Sequence, residues 1–356
     1  AATNTALEMA RHPYAVLMDQ DDLLTPDALR MVAETIAKHP DGLLFYSDED
    51  KVHDEGLIFY PYFKNGKWDW ELLCGQNCVS HLGVYRTDRM RQIGGFREGF
   101  RGSQDFDMLL RYIAGADAKK FVHIPRVLYH WRAHAGSTAL DVGVKSEAVD
   151  SARRAVQEHL DVFSPGAAVS ILPYSQFLRV KFPLPEKRPL VSLICDMENS
   201  FSQMKEILSA LTTKTAYAKY EILLLFSEAV SKGHIAAARR FAALHKNVRL
   251  LPYAAELSLT ERIMTGAGQA YGQVLGFLAG GIAPLTEDWL EEMVSCLCRE
   301  GVGAVGGKVL RRDGRMLHGG YLTDARCKLA PVLQGLLCNE PGWFNWAKLA
   351  RTVDAL

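Results

Sequence analysis

The apolar residues of this chain come in short runs separated by stretches of helix length. Residues 14–18, YAVLM, form a run of strand length, and Ala1 to His12 before it has helical spacing. Pro26 directly behind Thr25 predicts a helix starting at Pro26, where a missing N–H costs nothing because the first turn has no acceptor for it. The order is therefore helix, strand, acidic loop, helix. Downstream, GLLFYSDEDKV predicts a strand running into a hairpin, CVSHLGVYR another strand, QDFDMLLRYIAG a helix, and FVHIPRVLYHWR strand material broken at Pro125. Strands alternating with helices predict an α/β sheet of mostly parallel order.

Residues 183–189, PLPEKRP, carry three prolines and three charges with no periodicity, which predicts a linker between a first domain at 1–182 and a second at 190–356. After it the pattern starts over. LVSLIC (190–195) reads as a buried strand, 201–213 as a helix, YEILLLF as a strand, 233–244 as a helix and VRLLPY as a third strand, the rhythm of a nucleotide-binding βαβ fold. An internal repeat links the halves. Asn4, Ala10, Leu17 and Met18 stand before Asp19 at the same spacing as Met264, Ala270, Phe277 and Leu278 stand before Ala279. TPDALRMV then matches TEDWLEEMV with one residue inserted. The halves read as two copies of one fold, both incomplete: the first without its opening strands, the second stopping before its closing helix.

Composition narrows the classes. The 356 residues are too many for one typical core at about 150 residues per domain. Lys plus Arg equals Asp plus Glu at 41 each, so no global field draws the chain to nucleic acid or an anionic membrane, and any charge logic is local. No apolar run approaches the roughly 20 residues that span a bilayer; the strongest, ILLLF at 222–226, is strand-sized, and a peripheral membrane contact stays open. The seven cysteines are scattered, without paired CxxC knuckles, which suits reduced thiols in a cytoplasmic protein. The chain opens on Ala without a charged and then apolar leader, so neither a signal peptide nor a natural start is visible and a fragment is expected.

The acidic loop carries the candidate chemistry. Asp19, Asp21 and Asp22 follow the first strand, and in an open α/β sheet ligands bind beyond the carboxyl ends of strands. Crowded carboxylates repel one another, and magnesium or manganese would offset that cost and bind a diphosphate. A solvated helix N-terminus explains the same acids, and the DxD spacing alone does not choose between the readings. Two further blocks bear on it. GFREGFRGSQDFDMLLR (95–111) sets Asp105 and Asp107 at a helix start, and LYHWRAHAGSTA (128–139) supplies His130, Arg132 and His134. Metal, proton acceptor and cations are the parts of a transfer from a nucleotide diphosphate.

Taken in order, LMDQDDLLTPDAL, YSDEDK, PYFK, QNCVSHLGVYR, GGFREGFRGSQDFDMLLR and IPRVLYHWRAHAGSTA resemble the family 2 glycosyltransferases of GT-A fold, in particular the bacterial tandem-domain enzymes of O-antigen and rhamnan-type polysaccharide synthesis. The resemblance runs from residue 1 to about residue 140. It implies two Rossmann-like GT-A domains and inverting transfer from a nucleotide-sugar donor to a glycan or lipid-linked acceptor, at the inner face of the membrane or in the cytoplasm. It also implies Mn2+ or Mg2+ on Asp21 with His130 closing over metal and diphosphate, Asp19 near the donor ribose, and Asp105 as catalytic base; Arg132 and His134 read either as contacts to the donor diphosphate or as surface residues, and Asp107 is the next candidate for the base.

Other residues carry plainer expectations. Asp48, Glu49 and Asp50 read as a solvated hairpin, Lys64 as surface, and His81 as a satisfied core histidine. Gln76 and Asn77 fall where the family lines its acceptor cleft, and Trp68 and Trp70 suit either a sugar face or packing. In the second copy Gly281 aligns with Asp21, and Asp288 aligns with helix-start Asp27, which points to a degenerate domain. A carbohydrate-binding or scaffold protein built from two such domains is the alternative from a different class.

Overall fold

The computed structural model describes residues 2–53, 55–64, 66–133, 146–197, 201–278, 281–324 and 326–356. His134, Ala279 and Gly280 lie outside the described residues. The chain divides into two units, Ala1–Lys181 with Leu310–Leu356, and Phe182–Val309.

The first unit opens with α1 (Ala2–Met9), β1 (Tyr14–Leu17), β2 (Leu23–Leu24), α2 (Ala28–Lys38), β3 (Leu44–His53), β4 (Ile58–Tyr62) and α3 (Trp70–Gly75). It continues with β5 (Gly83–Arg86), α4 (Thr87–Gln92), α5 (Gln104–Ile113), β6 (Phe121–Ala133), α6 (Ser146–Phe163), β7 (Ala168–Ile171) and β8 (Leu178–Lys181). Helix α2 starts two residues later than Pro26 suggested, because Pro26 and Asp27 close a turn in which the Ala28 N–H donates to the Thr25 carbonyl at 3.0 Å. The sheet runs β1-β5-β3-β6-β2, with β4 also on β3. Only β3 and β6 are parallel; every other pair is antiparallel, against the expectation of a mostly parallel sheet. A hairpin and the single short helix α3 connect β3 to β5, and such a path returns the chain antiparallel without a crossover. Pro125 does not end β6. The register against β3 shifts there, from Ser47 opposite Ile124 to Asp48 opposite Val127, so the proline falls where no ladder bond is asked of it.

Ala28 and Val32 of α2 pack on Phe45, Val84, Leu128 and Tyr129 of the sheet. Helix α5 buries Met108, Leu109, Leu110 and Tyr112, and the Tyr112 hydroxyl donates to the Leu43 carbonyl at 2.6 Å while accepting the Arg86 N–H at 2.8 Å. That double bond pins the helix, and with it Asp105, to the start of β3 and the end of β5.

The expected second domain included everything after residue 189, yet Leu310–Leu356 packs within the first unit. Leu349 comes so close to Gly75 that a side-chain carbon there would lie 2.8 Å from its Cδ2, so a larger residue would require Leu349 to shift. Asp69 caps α3 by accepting the Leu72 N–H at 3.1 Å, and its other oxygen accepts the Thr352 N–H at 3.0 Å. Phe63 stacks on Trp343, with ring centres 5.9 Å apart.

The second unit holds β9 (Val191–Asp196), α7 (Phe201–Thr213), β10 (Tyr220–Ser227), α8 (Lys232–Leu244), β11 (Val248–Tyr253), α9 (Leu259–Gly268), β12 (Val274–Leu278) and α10 (Trp289–Leu297). Its sheet, β11-β10-β9-β12, is parallel throughout. Buried residues of α7, α8 and α10 cover one face, and α9 covers Ile194 and Leu225 on the other. Both faces being covered explains why β9 and β10 read as unbroken apolar runs. The repeat is visible in the elements: α1, β1 and α2 recur as α9, β12 and α10. Asp27 and Asp288 take the same cap position with nearly the same backbone angles (φ −103° and −86°, both ψ 2°).

Candidate active site

Beyond β1 the acidic loop is held by β6. Buried Asp22 accepts a hydrogen bond from the Tyr129 hydroxyl and another, at 2.7 Å, from the Arg132 N–H. Desolvation raises the Asp22 carboxyl above its ordinary value, and both hydrogen bonds oppose that rise. Tyr129 also accepts the Asp19 N–H at 3.2 Å, so one phenol fixes both ends of the loop. The side chains of Asp19 and Asp21 stay exposed, and the Asp21 carbonyl accepts from Arg132 Nε at 2.6 Å.

His81 stands opposite. Its ring stacks on Tyr129, centres 4.5 Å apart and 9° between planes, with Trp131 edge-on. Ligand atoms of Asp19, Asp22 and His81 lie within 4.8 Å of one another, and among the described residues this is the group of acids, histidines and cysteines that converges so closely. His81 Nδ1 is buried without a hydrogen-bond partner, which corrects its reading as a satisfied core histidine. Two carboxylates and an imidazole form a donor set able to hold a divalent cation.

Asp105 opens α5, half-buried, and its Oδ2 accepts from Asn77 Nδ2 at 2.9 Å. Burial raises its carboxyl above the usual range, the His81 charge lowers it, and Asp19 raises it again, which makes Asp105 electrostatically part of the same site. Asp107 is in a different position. It is buried, with Arg97 on both oxygens and Arg111 on Oδ2 at 2.8 Å, so it ties α5 to its surroundings and is engaged by two guanidinium groups.

Of the predicted metal ligands, Asp21 and His130 are not in the converging group. Side chains alternate along β6, so His130 points away from the face that carries Tyr129 and Trp131; its Nδ1 meets Asp50 Oδ1 at 2.5 Å. Gln76 bonds the Phe344 carbonyl and the Asn345 amide, each at 2.9 Å, whereas Asn77 turns to Asp105. Trp68 packs on Phe121 and Trp70 on His159.

The expected solvated hairpin at Asp48, Glu49 and Asp50 is instead the buried centre of β3. Asp48 meets His123 at 2.7 Å, and Asp50 meets His130. Glu49 pairs with Lys64 at 3.0 Å and accepts the His81 N–H at 2.9 Å. Lys64, expected on the surface, is buried and also donates to the Val79 and His81 carbonyls, both at 2.6 Å. The acids are inside because each has a partner there, and the Glu49–Lys64 pair grips the backbone that carries His81. The sequence signal for His81 was its place inside the QNCVSHLGVYR block, read there as strand.

Residues 1–88 match the family described as Glycosyl transferase family 2. The chain is 35% identical over 325 residues to protein y4gI of Sinorhizobium fredii, covering 90% of this chain and 35% of that protein. It is 30% identical over 326 residues to O-antigen biosynthesis protein RfbC of Myxococcus xanthus, covering 90% of this chain and 25% of that one. The chain thus spans a quarter to about a third of the length of these relatives. Among solved structures it is similar to mannosyltransferase PcManGT from Pyrobaculum calidifontis in complex with GDP-Man and Mn2+, at 25% identity and a TM-score of 0.32, over 36% of this chain and 38% of that one.

Proposed function

From the premise that this chain belongs, through residues 1–88, to the family 2 glycosyltransferases, we propose that its first unit is the catalytic part of an inverting, metal-dependent glycosyltransferase. It moves a sugar from a nucleotide-diphosphate donor to a glycan or lipid-linked acceptor in surface polysaccharide synthesis, a reading supported by the RfbC relative, which is named for O-antigen biosynthesis. The observation that carries this reading is the convergence of Asp19, Asp22 and His81 within 4.8 Å, a carboxylate and imidazole set fit for a divalent cation, with Asp105 tied through Asn77 to the same 77–81 stretch that carries His81.

Asp19, Asp22 and His81 would hold Mn2+ or Mg2+ in preference to Asp21 and His130, because only the first three converge. When bound, the cation would neutralise charge on the departing nucleoside diphosphate. The chain's own residues do the rest. Tyr129 holds the loop so that Asp19 faces outward, and Arg132, over the Asp21 carbonyl, offers positive charge beside the diphosphate. Asp105 Oδ1 or Oδ2 takes the proton of the acceptor hydroxyl as that oxygen attacks the anomeric carbon, and the leaving group departs from the opposite face. No helix of the described residues is long and apolar enough to cross a membrane.

The test follows nucleoside diphosphate release from a panel of UDP-, GDP- and dTDP-sugars with and without Mn2+. Mn2+ affinity is measured in parallel for wild type, Asp19→Ala, His81→Ala, Asp21→Ala and His130→Ala. The expected result is metal-stimulated release and an affinity loss of about tenfold or more for Asp19→Ala and His81→Ala. Larger losses in Asp21→Ala and His130→Ala would return the ligand set to the DxD spacing. Metal-independent release would remove the cation from the reading.

A further inference from the structure

Asn77 is doubly anchored. Its Oδ1 accepts the Val79 N–H at 3.2 Å and the Ser80 N–H at 3.1 Å, and its Nδ2 donates to Asp105 Oδ2 at 2.9 Å. The two backbone donors decide which end of the amide faces Asp105, since only an oxygen can accept from them. The N–H end is therefore directed at the carboxylate by the local turn. The same turn leads directly into His81, whose N–H and carbonyl are held by Glu49 and Lys64. One rigid stretch, 77–81, thus carries both the partner of Asp105 and the imidazole of the converging group.

We propose that Asn77 is a positioning residue for Asp105: it fixes the carboxylate rotamer, leaves the second oxygen to the acceptor hydroxyl, and sets the base at a constant place relative to His81. This rests on the reading of Asp105 as the base. It departs from the expectation that Asn77 contacts the acceptor, because its hydrogen-bonding atoms already serve Asp105 and the turn. A carboxylate half-buried without such a donor would have to be desolvated on that oxygen, and its orientation would be free to vary. Displacements below 1 Å at a reacting group cost large factors in rate.

Two substitutions separate position from structure. Asn77→Asp keeps the oxygen that accepts from Val79 and Ser80, and so keeps the turn, but it has no N–H to donate and sets a like charge against Asp105. Asn77→Ala loses both functions. With the donor that the release panel identifies, Asn77→Asp is expected to lower kcat by about a hundredfold with donor KM unchanged, because the ground-state donor contacts lie elsewhere. Thermal unfolding should fall for Asn77→Ala, which loses the turn, and for Asn77→Asp only by the cost of the like charge, since the turn is kept. A substrate-free readout accompanies this: the side-chain amide resonance of Asn77, assigned by its loss in Asn77→Asp, should be shifted downfield by the carboxylate and move upfield in Asp105→Ala. An Asn77 resonance indifferent to Asp105→Ala overturns the proposal without any donor. A wild-type kcat in Asn77→Asp while Asp105→Asn is inactive also overturns it and leaves the base reading standing. Wild-type turnover in Asp105→Asn removes the base reading, and the positioning role falls with it.

Discussion

At the scale of single residues, Asp105 is set apart from the other acids by what surrounds it. Burial and the Asp19 charge hold its carboxyl above the usual range, and His81 works in the opposite direction. Only the ionised form accepts a proton, so a raised value moves the onset of activity to higher pH. Turnover should therefore climb with pH along a limb set by the ionisation of Asp105 and fade as pH drops through it, with a bound cation working against the raised value. Asp105→Asn should remove this limb and lower kcat by about 10²–10⁴-fold with donor binding retained. A kcat profile measured from pH 4 to 9 on both proteins checks this, and a wild-type limb surviving in the variant would assign it to another group. The place of Asp105 in the first turn of α5 was legible in the sequence because a helix start behind a glycine-rich loop is a local pattern. His81 was not, because alternation tells which face of a strand a residue takes but not what stands across from it. Here Tyr129 and Asp22 arrive from positions more than 40 residues away in either direction. The same limit applies to His130, whose partner Asp50 is fixed by the β3–β6 register and by nothing local.

At the scale of elements, β3 is the part of the fold least visible in sequence. Three consecutive acids resemble a turn, and a charged stretch in a central strand is unfavourable unless each charge is paired on arrival. The pairing comes from two other parts of the chain: His123 and His130 from β6, and Lys64 from the segment after β4. Lys64 and Glu49 have side chains only 3% exposed, so removing one leaves the other as an uncompensated buried charge. Lys64→Met is expected to destabilise the first unit by about 3–5 kcal/mol. Urea unfolding followed by tryptophan fluorescence measures this, since Trp68 and Trp131 report on the same sheet. A loss under about 1 kcal/mol, the size found for surface pairs, would mean the pair is hydrated in solution. The same substitution releases the Val79 and His81 carbonyls, so Mn2+ affinity should fall along with stability. The parallel sheet of the second unit was legible for the opposite reason. Its strands are apolar on both faces, and a run such as YEILLLF needs no distant partner to be recognised.

At the scale of the whole chain, the repeat poses the question of whether both copies keep the same chemistry. The recurrence of helix, strand and capped helix shows that the scaffold is shared, down to the backbone at Asp27 and Asp288. The loop between differs in a way that sequence alignment alone does not reveal. Gly281, aligned with Asp21, has φ 93°, and Asp21 is not among the described residues of left-handed φ. The glycine is therefore a backbone requirement of its own loop as well as a missing carboxylate, and an L residue forced into that region costs about 1–3 kcal/mol. We predict that the second unit binds no divalent cation at this loop and that a graft does not restore it. Mn2+ binding followed by electron paramagnetic resonance should find a single tight site on the wild-type chain, none on Asp19→Ala with Asp22→Asn, and none when Gly281→Asp is added to that pair. Strain should instead appear as a lower unfolding midpoint for Gly281→Asp alone. If the graft brings back a tight site, the loop relaxes into the geometry of the first copy, and the second unit lost its metal by side-chain change alone. If the double variant already binds Mn2+ tightly, the cation has a site outside the converging group, and the second unit becomes a candidate for catalysis in its own right.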